Sequence, residues 1–478
     1  MNDQLELNDI QGIIIRGYSN LPAAHFLLLG IQDPAAAKQW LSLMAKDITP
    51  GDRDPGESAA HIAFTFDGLK ALGLNRDALE SFSLEFEDGM TGKHKQFFLG
   101  DFAESAPERW TWGGPNTADI HILLMLYAKD ADVLSRNKNT ILETISRYGL
   151  HEVQVLDTTV LYKQKEHFGF HDGISQPTIK GLKRADDKEN IIEPGEFILG
   201  YKNEYGQYTP RPTVPARTDA SNLLTPMPQG SAHDLGRNGT YLVFRQLAQD
   251  VTLFWKFMAR TTQNVNGNND EKEMIKLASK IVGRWPNGAP LVLSPDDDGG
   301  KPESNENHFD YRQSDPEGLK CPFAAHIRRS NPKDSLDTDR ATSIAIAKRH
   351  RLLRRGRSYG PPLTEKLNPL GCLKAAETNV ERGLYFISIN ADIGRQFEFV
   401  QNGWINNPKF KGLYEERDPL VANHQNPQDS SQTGTFCIHH NGLRTRITGI
   451  PEFVKVKGGA YFFIPGLQAL RYLANVTT

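Results

Sequence analysis

The chain has little cysteine: Cys321, Cys372 and Cys437 are the three in 478 residues. They are few, scattered and without a CxxC spacing, which excludes a disulfide framework, a zinc finger and a thioredoxin-like redox pair, and predicts a reducing compartment. Neither sign of charge is in excess, since 55 Lys plus Arg against 58 Asp plus Glu leave a net charge of −3. That balance argues against a nucleic-acid binder, which carries a basic surplus. Long hydrophobic runs are missing: a stretch such as Ile122–Leu126 falls far short of the ~18 residues of a membrane span. The opening MNDQLELNDIQG has neither the basic start nor the apolar centre of a secretory signal. The expectation is a soluble cytoplasmic protein, monomer or homodimer, that engages neither nucleic acid nor membrane. No P-loop, GxGxxG after a strand, HExxH or GxSxG occurs, so the common nucleotide, metalloprotease and hydrolase signatures are excluded. What remains is an ordinary globular composition, 38% hydrophobic and 24% charged with 41 glycines, which excludes a disordered chain.

The periodicities predict an α+β protein. Ile10–Arg16, His25–Ile31, His61–Thr65, Ile120–Tyr127 and Glu152–Leu156 read as strands. Asp33-Pro34 opens a helix with Ala37, Trp40, Leu41 and Met44 on one face, and Leu134, Ile141 and Ile145 mark another. Residues 202–236, with five prolines, read as a connector or long arm. In the second half, Gly239–Gln246, Arg349–Arg355, Gly383–Ile389 and Gly459–Ile464 read as strands, and Leu247–Thr262 as a helix. Asn390 is expected to cap a helix carrying Ile393, Phe397, Val400 and Trp404. Pro295–Gly318 reads as a surface excursion. Length alone suggests two or three units at ~100–200 residues each. The division is 1–165, a linking segment 166–238, and 239–478.

Four segments bear chemistry, each with a plainer alternative. In Gly169-Phe170-His171-Asp172-Gly173, two glycines bracket an acid, which suits either a tight Asx turn or a pocket carboxylate. His326, in CPFAAHIRRSNP, is either a hydrogen-bonded structural histidine or an imidazole placed to ligate a metal or haem iron. In Arg351-Leu352-Leu353-Arg354-Arg355-Gly356-Arg357, the leucines draw a charge run inward, where a buried arginine needs an anion. Leu384-Tyr385-Phe386 is core, or the wall of a cofactor pocket. His424, His439, His440 and Cys437 fit no ordinary metal spacing.

Taken in this order, GFHDGISQP, CPFAAHIRRSNP, LLRRGRSYG and RGLYFISIN resemble the dye-decolorising peroxidases, a haem peroxidase family, in its longer bacterial and fungal-like form. The opening DIQGIIIRGY, NGTYLVFRQL, GRWP and Asp418-Pro419-Leu420 also look like family landmarks, so the likeness spans nearly the whole chain. The resemblance implies two ferredoxin-like α+β domains, each an antiparallel sheet with helices packed on it, the C-terminal one holding haem b (iron protoporphyrin IX). It implies His326 as axial iron ligand with Asp418 as its hydrogen-bond partner, Asp172 as distal acid and base, and Arg354 stabilising the leaving oxygen. Leu384 and Phe386 would roof the distal face, and Arg328 is the expected partner of a propionate. The implied activity is oxidation of dyes, phenols and other small aromatic reductants by hydrogen peroxide, with Trp285, Trp404 and Tyr359 as candidate electron-transfer residues. A carboxylate in the role that other peroxidases give to histidine favours acidic turnover, its reference pKa being about 3.9. The alternative is a haem carrier or iron-release protein on the same fold.

Overall fold

Continuously apolar runs flanked by turn residues become the inner strands of one sheet, because both of its faces are covered. The computed structural model describes residues 4–182, 188–228, 230–299, 307–376, 379–425 and 434–476. Its first half runs β1 (Ala23–Ile31), α1 (Pro34–Asp47), β2 (Ser58–Phe64), β3 (Ile122–Ala128), α2 (Ala131–Ile145) and β4 (Leu150–Asp157). Asp33 caps α1 by accepting from the N–H groups of Ala35 and Ala36, with Pro34 at the first helical position. The strands pair antiparallel in the order β4-β1-β3-β2, the ferredoxin-like arrangement. Leu27 and Leu29 pack with Trp40, Leu41 and Leu134 from the helices, while Phe26 and Leu28 face the opposite core with Tyr127 and Phe244.

The second half comprises β5 (Thr240–Gln249), α3 (Val251–Thr262), α4 (Glu271–Val282), α5 (His326–Ser330), α6 (Arg340–Arg349), β6 (Leu353–Arg354), β7 (Arg357–Tyr359) and β8 (Gly383–Asn390). A hairpin of β9 (Gly434–His440) and β10 (Leu443–Ile450), then β11 (Val454–Ile464) and α7 (Leu467–Asn475), complete it. Strands β8, β5 and β11 lie side by side, with β6 and β7 on the outer edge of β8. One residue pair, Phe64 with Phe463, joins β2 to β11, so the two halves share a nine-stranded antiparallel sheet. The α+β, ferredoxin-like expectation is thus borne out. Among the described residues, no helix is long and apolar enough to cross a membrane.

Several local expectations are corrected. Ile10–Arg16 is not a strand: Gly12–Ile15 forms one helical turn with Ile13 and Ile14 both buried. The Gln11 amide fixes it there, accepting from Ile62 N (3.0 Å) and donating to Ile62 O (2.9 Å) and Pro465 O (3.0 Å). A short apolar run carries no period to tell the two apart. The expected strand Arg349–Arg355 shrinks to Leu353–Arg354, because α6 runs through Arg349. Asn390 ends β8 with its amide bonded to Ser388, and Asp392 caps the next helix instead, accepting from Arg395 N at 2.9 Å. That helix is wound wide, Glu398 N reaching Ile393 O and Asn406 N reaching Gln401 O, each at 2.9 Å. Within it Phe397, Val400 and Ile405 face the cavity described next, in keeping with the functional bias of such wide turns. Segment 202–236 is an ordered arm with a small three-stranded sheet among its described residues. Of Pro295–Gly318, residues 300–306 lie outside the described residues; Tyr311 and Asp315 are buried, so the remainder is no mere surface excursion.

Candidate active site

A cavity of about 1040 Å³ is walled by β5, β8, α5, the segment around Asp172 and the wide helix. It lies at the upper end of the ~300–1,000 Å³ usual for small-molecule and cofactor sites. His326, Asp172, Arg354, Leu384 and Phe386 all line it. Five residues from four separate segments thus meet in one space.

Local backbone chemistry presents the acid. Gly169 has φ +98°, and a Cβ there would lie 2.6 Å from the Leu367 carbonyl oxygen. Gly173 has φ +80°, and this turn brings its N–H onto Asp172 Oδ1 at 2.6 Å. Upstream, Phe168 stacks on Phe254 of α3 at 4.4 Å between centroids. The Glu166 carboxylate accepts from Phe168 N and Phe170 N, both at 2.9 Å. The loop is held rigid from below. Arg354 comes from β6: Leu353 turns into the core, so Arg354 turns to the cavity. Its Nη1 donates to Asp172 Oδ1 at 3.1 Å, and its backbone N–H donates to Gln176 Oε1 at 3.0 Å. Both donors to the carboxylate of Asp172 use Oδ1, which leaves Oδ2 without a protein partner among the described residues. The other arginines of the run find carbonyls. Arg355 Nε and Nη2 donate to Ile13 O (2.7 Å) and Ile14 O (2.8 Å), and Arg357 Nη2 donates to Gly17 O (2.8 Å).

His326 begins α5. Its Nδ1 lies 2.8 Å from Asp418 Oδ2, and Asp418 is fully buried. Burial alone would raise the Asp418 carboxyl, but His326, Arg329 and the Val421 N–H outweigh it and hold the pKa below the ordinary value. Asp418 Oδ1 accepts from Leu420 N (2.9 Å) and Val421 N (3.0 Å), so the carboxylate is anchored at both oxygens. With Nδ1 engaged, Nε2 is the imidazole atom left to the cavity. Arg329 pins α5 in place, donating to Trp404 O (2.7 Å), Glu416 O (2.9 Å) and Asn407 O.

Arg328 does not face the cavity, contrary to the sequence expectation. Its guanidinium donates to Asp315 Oδ2 (2.8 Å), Cys321 O (2.6 Å) and Asp315 O (2.9 Å). It also lies 4.5 Å from the ring centres of both Tyr311 and Phe323. The sequence supplies no sign of Asp315, 13 positions earlier, as its partner. Positive charge in the cavity wall comes instead from Arg284, Lys333, Lys348 and Arg351, with Arg245 paired to Asp101; of these, Lys333 and Lys348 lie outside the motifs that drew notice in the sequence. Trp285, Trp404 and Tyr359 are buried and give no surface entry for electrons. Nor do His424, His439, His440 and Cys437 make a metal site: no cluster of three or more His, Cys, Asp or Glu that could hold an ion occurs among the described residues.

Glu166 also lines the cavity and is half-buried; desolvation first, with a smaller contribution from Asp172, pushes its pKa up to about 7 against the backbone and Gln249 hydrogen bonds. Below pH about 4.5 the folded and unfolded chains both carry this proton, whereas above about 7 folding must bury the charge. Stability attributable to Glu166 therefore falls as pH rises through that window, by about 3 kcal/mol. Glu166→Gln should flatten the stability profile between those limits, checked by urea unfolding of the apo-protein at each pH. An unchanged slope would show that Glu166 is ionised throughout.

No family model matches the chain. A dye-decolorizing peroxidase of Mycena epipterygia is 29% identical over 522 residues, covering 99% of this chain and 88% of that protein. The solved complex of a dye-decolorizing peroxidase with 2,6-dimethoxyphenol is 26% identical with a TM-score of 0.74, covering 98% of this chain and 100% of that one. A dye-decolorizing peroxidase whose heme pocket was engineered for asymmetric sulfoxidation is 25% identical with a TM-score of 0.74, at the same 98% and 100% coverage. End-to-end likeness in sequence and in fold, around one walled cavity, sets the chain beside the dye-decolorising peroxidases, oxidoreductases that use peroxide.

Proposed function

We propose that the cavity holds haem b and that the chain uses hydrogen peroxide to oxidise dyes, phenols and similar aromatic reductants. The observation that carries this reading is that a carboxylate-backed imidazole and a carboxylate–guanidinium pair line the same cavity. The donor set fits the cofactor. A single free imidazole nitrogen suits a metal whose other ligands arrive with a macrocycle. Arg284, Lys333, Lys348 and Arg351 offer the positive charge that two propionates require. The proposed division of the chain follows: residues 239–478 supply His326 and Arg354, and 166–238 supplies Asp172.

When bound, haem supplies the iron at which the peroxide O–O bond is cleaved and oxidising equivalents are held. His326 would hold the iron through Nε2, and its Nδ1–H donates to Asp418, which makes the imidazole more electron-rich. The free Oδ2 of Asp172 would take a proton from hydrogen peroxide and return it to the oxygen that leaves as water. Arg354 orients Asp172 through its Nη1 donor and places positive charge where negative charge grows. Leu384 and Phe386, alternate residues on one face of β8, narrow the space, while Tyr385 between them turns to the opposite core.

The test is the absorption spectrum of the haem-loaded protein before and after one equivalent of peroxide, followed by 2,6-dimethoxyphenol. A change within seconds that the phenol reverses is expected. A spectrum indifferent to peroxide would leave a haem carrier in place of an enzyme.

A further inference from the structure

We propose that a hollow of about 390 Å³ beside the main cavity, walled by Phe97, Phe102, Asn402, Asn406, Arg417 and Asn423, is a second reductant site for small aromatic anions. The inference rests on the peroxidase reading and names a substrate class for it. Its volume is of small-molecule size.

Chemistry at the wall selects the ligand. Phe97 and Phe102 lie with ring centres 6.2 Å apart and planes tilted by 30°, forming one apolar side. Phe97 is 64% exposed, which is unusual for a large aromatic and leaves its face open to an incoming ring. Arg417 is the only charged residue among those lining the hollow. Its Nη1 donates to Asn423 O at 2.8 Å, and among the described residues it has no carboxylate partner. A half-buried guanidinium without a counter-ion favours an anion. The amide donors of three asparagines are occupied as staples: Asn402 Nδ2 donates to Phe98 O (2.8 Å), Asn406 Nδ2 to Leu99 O (2.9 Å), and Asn423 Nδ2 to Gly100 O and Phe102 O (both 3.0 Å). Recognition therefore falls to one cation and an aromatic wall, the complement of a ring bearing a carboxylate or sulfonate.

Position gives the hollow its use. Gly100 and Asn423 line both it and the main cavity, so the partition is one residue thick there. Arg417 immediately precedes Asp418, the partner of His326. A bound phenol carrying an anionic group would lose one electron through this partition and its hydroxyl proton to bulk water. Two such donors replace the two electrons taken by one hydrogen peroxide, which leaves as two waters.

The experiment compares 3,5-dimethoxy-4-hydroxybenzoate with 2,6-dimethoxyphenol, which differ by the carboxylate, by equilibrium dialysis against the haem-loaded enzyme without peroxide. The acid should bind about 10-fold or more tightly than the neutral phenol. Phe97→Ala and Arg417→Gln should each weaken the acid by about 10-fold or more and leave the neutral phenol unaffected. In turnover, Phe97→Ala should raise KM for the acid without altering the rate of reaction with peroxide. Should Arg417→Gln fail to fold, Phe97→Ala, at an exposed position, decides alone. Equal binding of the two phenols, or of the acid to wild type and Phe97→Ala, overturns the site. Binding of the acid, with oxidation of the neutral phenol only, overturns its role as a reductant site. Binding with oxidation of neither phenol overturns the peroxidase reading and leaves the anion site standing.

Discussion

Replacing His326 by alanine is expected to abolish the axial ligation of added haem, seen as loss of the wild-type Soret spectrum and of stoichiometric haem retention on gel filtration. The expected effect is large because cavity and ligand act together: His326 stands in the wall and is backed by the buried carboxylate of Asp418 at 2.8 Å. The same change strips a fully buried carboxylate of its nearest charge partner. Breaking such a pair costs about 3–5 kcal/mol, and the low end applies because Leu420 N, Val421 N and Arg329 remain to stabilise Asp418. Adding Asp418→Asn to His326→Ala should therefore recover apo-protein stability without recovering haem. That pairing separates loss of the ligand from loss of the fold. A variant at 326 with the wild-type spectrum would remove the axial assignment.

The second large effect is kinetic. Asp172→Asn and Arg354→Leu should each retain haem and slow the reaction with peroxide by about 10²–10⁴-fold, read by stopped-flow absorbance. Asparagine keeps the shape of the loop, since its amide oxygen still accepts from Gly173 N, but it cannot take a proton at the free position. Leucine at 354 leaves the backbone bond to Gln176 in place and removes only the guanidinium that reaches Asp172 at 3.1 Å. Both variants should bind 2,6-dimethoxyphenol as wild type does, because neither alters the outer surface. Wild-type rates of reaction with peroxide in both would refute the distal roles of Asp172 and Arg354.

Much of the site is legible in the chain because its segments are local devices. Gly-x-x-Asp-Gly reads as a carboxylate on an unusual turn, and the turn proves to use positive φ at Gly169 and Gly173. Arg354 reads as an inward arginine, and alternation along β6 aims it correctly once Leu353 occupies the core. Arg328 misleads for the same reason that Arg354 succeeds: both follow apolar residues, but the counter-ion of Arg328 is Asp315, in a segment that composition assigns to the surface. The helix after β8 is legible as a helix, yet its wide winding and its cap at Asp392 depend on packing around Phe397. The hairpin β9–β10 left no clear trace, since most of β10 is exposed and its period is weak.

Composition and periodicity by themselves determined the α+β class of the fold and most of its central strands, and the likeness of short motifs to a known family singled out Asp172, Arg354 and His326. These depend on backbone conformation and side-chain chemistry within a few residues, where sequence acts directly. Only the tertiary structure decided which carboxylate each buried cation meets, that the two halves fuse into one sheet through Phe64 and Phe463, and that Arg417 faces an aromatic hollow without a counter-ion among the described residues. Such pairings join residues tens to hundreds of positions apart. Burial selects them through desolvation and close packing, quantities that a linear sequence does not contain.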